Sequence, residues 1–155
     1  MTPPELRQHG TCVCVGKTGV LILGKPGSGK SDLALRLIDQ PGSGISGAVK
    51  RTQLVADDQV IIQRDSDSLY ALVPPAIAGR LEIRGLGLVD LSHRARAKLG
   101  FAVQLGPCDG AERLPDFARS RLDILGISLP LIFIDPLSAS APARIRAAAD
   151  WLERP

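Results

Sequence analysis

The sequence predicts a single α/β domain with buried strands, and three features carry that prediction. Its 155 residues suffice for one domain with a real core and leave no room for a second; such a chain buries about 70% of the surface it exposes unfolded. Hydrophobic residues make up 45% of the chain but aromatics only 3%, so Leu, Val, Ile and Ala must fill the core, as they do in buried sheets. The third feature is an order: the apolar run Val20–Leu23, the loop Gly24-Lys25-Pro26-Gly27-Ser28-Gly29-Lys30-Ser31, and the helix-like stretch Ser31–Ile38.

Met1–Gln8 is polar and carries Pro3-Pro4, so it reads as a flexible lead-in, with the domain proper over residues 9–155. Thr11–Val15 and Thr18–Leu23 read as strands split by Gly16-Lys17, a pair suited to a hairpin turn. After the helix, Gln40–Gly47 is rich in turn formers and reads as an exposed, mobile connector. Short strands follow at Gln53–Ala56, Gln59–Gln63 and Leu69–Val73, the last stopped by Pro74-Pro75. Leu81–Leu91 mixes strand formers with Gly85 and Gly87, which places a turn inside it. Phe101–Leu105 and Leu129–Ile134 are further strands, the second so continuously apolar that it is expected at the sheet centre. Ile145, Ala148/Ala149 and Leu152 give Pro142–Leu152 helical spacing.

The glycine-rich loop carries the chemistry. A strand feeding such a turn into a helix aims successive backbone N–H groups at one point, where the helix dipole also favours an anion. Gly24, Lys25, Pro26, Gly27, Ser28 and Gly29 would form the cradle, Lys30 would reach the β/γ-phosphates and Ser31 would hold Mg²⁺. The four fixed positions of this motif recur by chance about once in a few hundred such chains. Nucleotide or polyphosphate binding is therefore expected.

Phosphoryl transfer also needs a carboxylate for metal and a group to activate the acceptor. Asp57-Asp58 ends an apolar run, and adjacent side chains of an extended chain point to opposite sides, so the two are expected to differ in role. Glu82 and Arg84 share one side of a strand and could face one site, the carboxylate on the cation and the guanidinium on phosphoryl oxygens or acceptor. Ser31, Asp58 and Glu82 are thus candidate metal ligands. His9, judged by spacing alone, reads as a packing residue.

The net charge of +3 comes from scattered arginines with almost no aromatics between them, which argues against nucleic acid as a partner. Cys12, Cys14 and Cys108 are too few for a zinc site and read as small buried thiols of a cytosolic protein. A secretory leader and an uninterrupted apolar span near membrane length are both missing from the sequence, so a cytoplasmic protein without membrane attachment is expected.

Together, His9-Gly10, the loop Gly24–Ser31, Leu54-Val55-Ala56-Asp57-Asp58, Pro74-Pro75 and Leu81-Glu82-Ile83-Arg84-Gly85-Leu86-Gly87 resemble, in order, the catalytic domain of the HPr kinase/phosphorylase family. The resemblance is good over residues 9–91 and looser beyond. It implies a nucleotide-binding fold like that of phosphoenolpyruvate carboxykinase, with a mixed sheet and flanking helices. It further implies an ATP- and Mg²⁺-dependent kinase acting on a serine of the phosphocarrier protein HPr. In that reading Asp57 takes the proton of the serine hydroxyl, His9 assists Asp57, Lys30 binds the transferring phosphate, Ser31 and Glu82 hold Mg²⁺, and Arg113 matches a catalytic arginine. A short form without the family's N-terminal domain is expected, and a homo-oligomer stays open. Pro130–Ser140 stands where the family carries a basic, glycine-containing loop tied to phosphorolysis, so the kinase direction is the expected one. Two alternatives remain at this stage: a small-metabolite kinase on the same nucleotide site, and a nucleotide-sensing binding module that transfers nothing.

Overall fold

The computed structural model describes residues 2–107 and 114–153. Along the chain come β1 (Glu5–His9), β2 (Thr11–Val15), β3 (Thr18–Leu23), α1 (Lys30–Asp39), β4 (Thr52–Ala56), β5 (Gln59–Asp65) and β6 (Ser68–Leu72). A 3-10 turn (Pro75–Ile77), β7 (Arg80–Ile83), β8 (Gly87–Asp90), β9 (Arg96–Leu105), β10 (Arg121–Ile124), β11 (Ile127–Ile134) and α2 (Ala141–Leu152) complete it.

Residues Glu5–Gln8, expected to be a loose lead-in, are part of β1, which runs antiparallel to β5 from Glu5↔Gln63 to His9↔Gln59. Its side chains alternate between exposed and half-buried, the weak pattern of an edge strand, and Pro3-Pro4 hides it further. The β2–β3 hairpin forms as expected, closing at Val15↔Thr18 around Gly16, whose φ of 62° is the turn conformation that favours glycine.

The main sheet runs β1-β5-β6-β9-β3-β2-β4, with β11 and β10 branching from β9. β9 is long enough to serve two neighbours on one edge: Arg96–Lys98 pair with β6, and Ala102–Leu105 pair in parallel with β11. Its other edge pairs in parallel with β3. The centre is therefore β3 and β9. Leu129–Ile134, expected to be central, lies instead between β9 and the short β10. Its apolar run has another cause, since Ile132–Ile134 line an apolar groove beneath α2 with Trp151 and Leu152.

Two cores sit on opposite faces of the sheet. Val13, Val15, Val20 and Ile22 point to the helical side, joined by Leu33, Ala34 and Leu37 of α1 and by Ile145 and Ala149 of α2. Cys12, Cys14 and Leu21 point the other way, where β5 and β6 supply Val60, Ile62, Leu69 and Ala71. Each fully buried leucine contributes about 2 kcal/mol. β9 serves both cores because Gly100 is an extra residue: Gly19 pairs Leu99 but Val20 pairs Phe101. The bulge moves Phe101, Val103 and Leu105 to the helical face, and a side chain on Gly100 would collide with Thr18.

α1 and α2 are tied together. Buried Arg146 donates to the carbonyls of Leu37 and Gln40, satisfying groups that the end of α1 would otherwise leave unpaired. Asp150 accepts from the amides of Ile45 and Ser46 and pairs with Lys50 at 2.6 Å. The Gln40–Gly47 connector is exposed as expected, but Asp150 and the Gly42–Lys50 bridge anchor it. No helix among the described residues is long and apolar enough to cross a membrane.

Candidate functional site

β3 ends at Leu23, and the chain turns through Gly24–Gly29 into α1. Gly29 makes the entry possible: it precedes the helix with φ of 100°, a conformation that strains any residue with a side chain. Its carbonyl accepts from Leu33 to begin the helical ladder. The loop closes on itself through the Ser28 amide, which donates to the Lys25 carbonyl. Lys30 is only 7% exposed, and its ammonium donates to the carbonyls of Gly24 (2.9 Å) and Lys25 (3.1 Å). A charged phosphate oxygen would exchange these neutral acceptors for a stronger one.

Ser31, the second residue of α1, donates its hydroxyl to Asp57 Oδ1 at 2.8 Å. Thr11 Oγ1 donates to the same oxygen at 2.9 Å, and the Glu82 amide lies 3.4 Å from Oδ2. Asp57 is 9% exposed, so these donors stand in for lost water.

A register shift explains why Asp57 is here. Cys12 pairs Ala56, yet Val13 pairs Leu54, which makes Val55 the extra residue of a bulge in β4. Leu54 faces the helical core. Strict alternation would put Ala56 on that side and Asp57 on the other. The bulge reverses the order: Ala56 joins the opposite core, and Asp57 turns toward α1.

Asp58 leaves the strand with φ of 75° and is exposed. The adjacent aspartates differ in environment, as the sequence suggested. His9, which the resemblance assigned to Asp57, has Asp58 beside it, with Nδ1 3.5 Å from Oδ1. Glu82 and Arg84 flank the cleft from the β7–β8 hairpin, and the Arg84 guanidinium lies 4.0 Å from where a Cβ on Gly27 would sit. Arg113 and Cys108 lie outside the described residues. Cys12 and Cys14 are buried thiols, and burial raises the pKa of both, which removes them as nucleophiles.

These groups line one cavity of about 590 Å³, bounded by Pro26–Asp32, Asp57, Asp58, Glu82–Arg84, His9 and Thr11, and on another wall by Pro136 and Leu137. The size suits a nucleotide-scale ligand. Hard oxygen donors from Ser31, Asp58 and Glu82 line this cavity and suit Mg²⁺, which needs one or two protein groups besides phosphate oxygens and water. Among the described residues no three His, Cys, Asp or Glu side chains gather into a closed metal cage.

Two further groups belong to the site. Thr11, the polar residue that opens the apolar strand β2, is fully buried against Asp57. The Pro136–Leu137 wall closes the cavity from beyond β11, where no local motif marks it.

A helix N-terminus fed by a central strand, with a buried carboxylate held by the first-turn serine, defines a phosphate-loop α/β domain. The comparisons narrow the class. The family described as HPr Serine kinase C-terminal domain matches residues 2–135, and the chain belongs to that family. It is 36% identical over 144 residues to the HPr kinase/phosphorylase of Cupriavidus metallidurans, an alignment covering 86% of this chain and 41% of that relative. To HPr kinase/phosphorylase 1 of Oceanobacillus iheyensis it is 38% identical over 105 residues, covering 63% of this chain and 31% of the relative. The chain thus spans less than half the length of these relatives. The structure of the HPr(Ser) kinase/phosphatase from Coxiella burnetii matches it with a TM-score of 0.72 and 26% identity, over 94% of each chain.

Proposed function

We propose that this chain is an ATP- and Mg²⁺-dependent protein-serine kinase acting on HPr or an HPr-like phosphocarrier, and so a regulator of sugar phosphotransfer and carbon metabolism. The observation that carries the reading is the clasp of Asp57 against Ser31 across the phosphate loop, in a chain of the HPr serine kinase family. The names of its relatives support the acceptor.

Each residue has a distinct task. Asp57 Oδ1 accepts from the Ser31 and Thr11 hydroxyls, while Oδ2, met by the Glu82 amide at 3.4 Å, keeps a lone pair to orient the acceptor hydroxyl and take its proton as the oxygen attacks phosphorus and ADP departs. Lys30 leaves the loop carbonyls to neutralise charge on the phosphoryl oxygens, assisted by the α1 N-terminus. Ser31 and Glu82, with Asp58 beside them, would hold Mg²⁺, which would supply charge neutralisation for the phosphates. Arg84 is set to meet the phosphates or the incoming acceptor. His9 and Asp58 form a polar rim beside Asp57.

The test is transfer of label from γ-labelled ATP to purified HPr at varied Mg²⁺ and phosphate. Labelled HPr is the expected result. ATP binding with unlabelled HPr and a labelled small molecule would indicate a metabolite kinase. Binding with no acceptor labelled at all would indicate a nucleotide-sensing module.

A further inference from the structure

The phosphate loop accounts for one end of the cavity and the carboxylates for the acceptor end, but neither accounts for the wall formed by Pro136 and Leu137. That wall is a tight turn. Asp135 follows β11, its Oδ1 accepts from the Leu137 amide at 2.9 Å, and its carbonyl accepts from the Ser138 amide at 3.1 Å. Asp at the first position and Pro at the second are the residues this turn favours. Its place relative to the phosphates is fixed by α1 itself: Arg36, two turns along from the loop, donates Nη2 to the Pro136 carbonyl at 2.6 Å and pairs with Asp32 at 3.2 Å. The Pro136 ring lies 3.5 Å from where a Cβ on Gly29 would be, so the turn packs directly on the phosphate loop.

A turn held this firmly nonetheless presents a leucine that buries almost nothing. Leu137 is 91% exposed while lining the cavity, with Pro136 and the half-buried Leu35 beside it. An apolar surface beside an anion cradle suits a ligand with charge at one end and a flat apolar face at the other. We infer that the Asp135–Ser138 turn is the nucleobase wall of this site, with the base stacked on Leu137 and Pro136 while Gly24–Ser31 hold the phosphates. The inference rests on the proposed nucleotide reading and adds to it where the base lies and how it is selected. Contact with Leu and Pro recognises a π-face rather than a hydrogen-bonding edge, so adenine and guanine nucleotides are held alike.

The experiment compares binding of Mg-ATP, Mg-GTP and Mg-tripolyphosphate, the last having phosphates without a base, by calorimetry on the wild-type chain, Leu137→Ser and Leu137→Phe. Leu137 packs against nothing that the fold needs, and thermal melts check this for both variants. The wild type is expected to bind both nucleotides more tightly than tripolyphosphate. Leu137→Ser should lose about tenfold in nucleotide affinity with tripolyphosphate unchanged, and Leu137→Phe should keep or raise the nucleotide preference. Equal loss for all three ligands in Leu137→Ser, or no loss for any, would overturn the base wall while leaving the phosphate loop in place. A wild type that strongly prefers ATP over GTP would overturn recognition by the face of the base. Binding of none of the three would overturn the nucleotide reading itself, and the inference with it.

Discussion

The phosphate loop and the carboxylate wall opposite it are built on different principles. The loop is one uninterrupted segment, Gly24–Ser31, and its geometry follows from local rules: glycine where φ is positive, a helix N-terminus for the anion, a lysine folded back on its own carbonyls. The wall comes from four separate places, β1 (His9), β2 (Thr11), the end of β4 (Asp57, Asp58) and β7 (Glu82). It meets the loop through the hydroxyl of Ser31. A glycine-rich turn can thus be written in a few consecutive residues, whereas the carboxylate wall depends on how a sheet registers.

The largest expected effect separates the two regions. Asp57→Asn should lower transfer to HPr by about 10³-fold or more, the scale of a lost general base, while ATP affinity stays within a few-fold. Lys30→Ala should lower the rate by about 10²- to 10³-fold and weaken ATP binding as well. Rates by label transfer and affinities by calorimetry decide it. If Asp57→Asn retains wild-type rates, or if its damage is confined to ATP binding, the two regions are not functionally distinct.

A smaller effect sharpens the wall. Thr11→Val keeps the volume of a fully buried side chain and removes one of two hydroxyl donors on Asp57 Oδ1. A hydrogen bond to a charged group contributes about 1.5–3 kcal/mol, so kcat should fall about tenfold or more with ATP affinity unchanged. A change in ATP affinity without a change in kcat would place Thr11 on the loop side.

The smallest effect lies on α2, where Asp150 anchors the connector after α1. Hydrogen bonding from Lys50, aided by the Ile45 and Ser46 amides, holds the Asp150 carboxyl below its ordinary value of 3.8. A depressed carboxylate contributes its stability above the ordinary value and loses it as pH falls through the lowered one. Asp150→Asn should therefore lower Tm by a constant margin at neutral and mildly acidic pH, and that margin should close as Asp150 itself protonates. Catalysis should be unaffected. A margin that widens on acidification would contradict the sign of the shift.

Much of this was legible in the chain. The β2–β3 hairpin, the loop, both helices and the turn within Leu81–Leu91 are local patterns, and local physics decides them. β1 was not, because an edge strand with half its residues in water carries little apolar signal. The position of Leu129–Ile134 misled because continuous apolarity records burial on two faces, which a helix-lined groove mimics. The resemblance set His9 beside Asp57, and the residue 3.5 Å from its Nδ1 is Asp58, since spacing does not say which of two adjacent aspartates a side chain three strands earlier will meet.

By itself the sequence determined that a strand, a glycine-rich loop and a helix would form a phosphate cradle, because each step needs only neighbouring residues. Tertiary structure decided which carboxylate serves it. One extra residue, Val55, against the β2 register turns Asp57 from the far core to Ser31. Pairing β11 beside β9 carries Leu137 to the cavity rim. Register and strand order arise from contacts between segments far apart in the chain, and no local pattern encodes them.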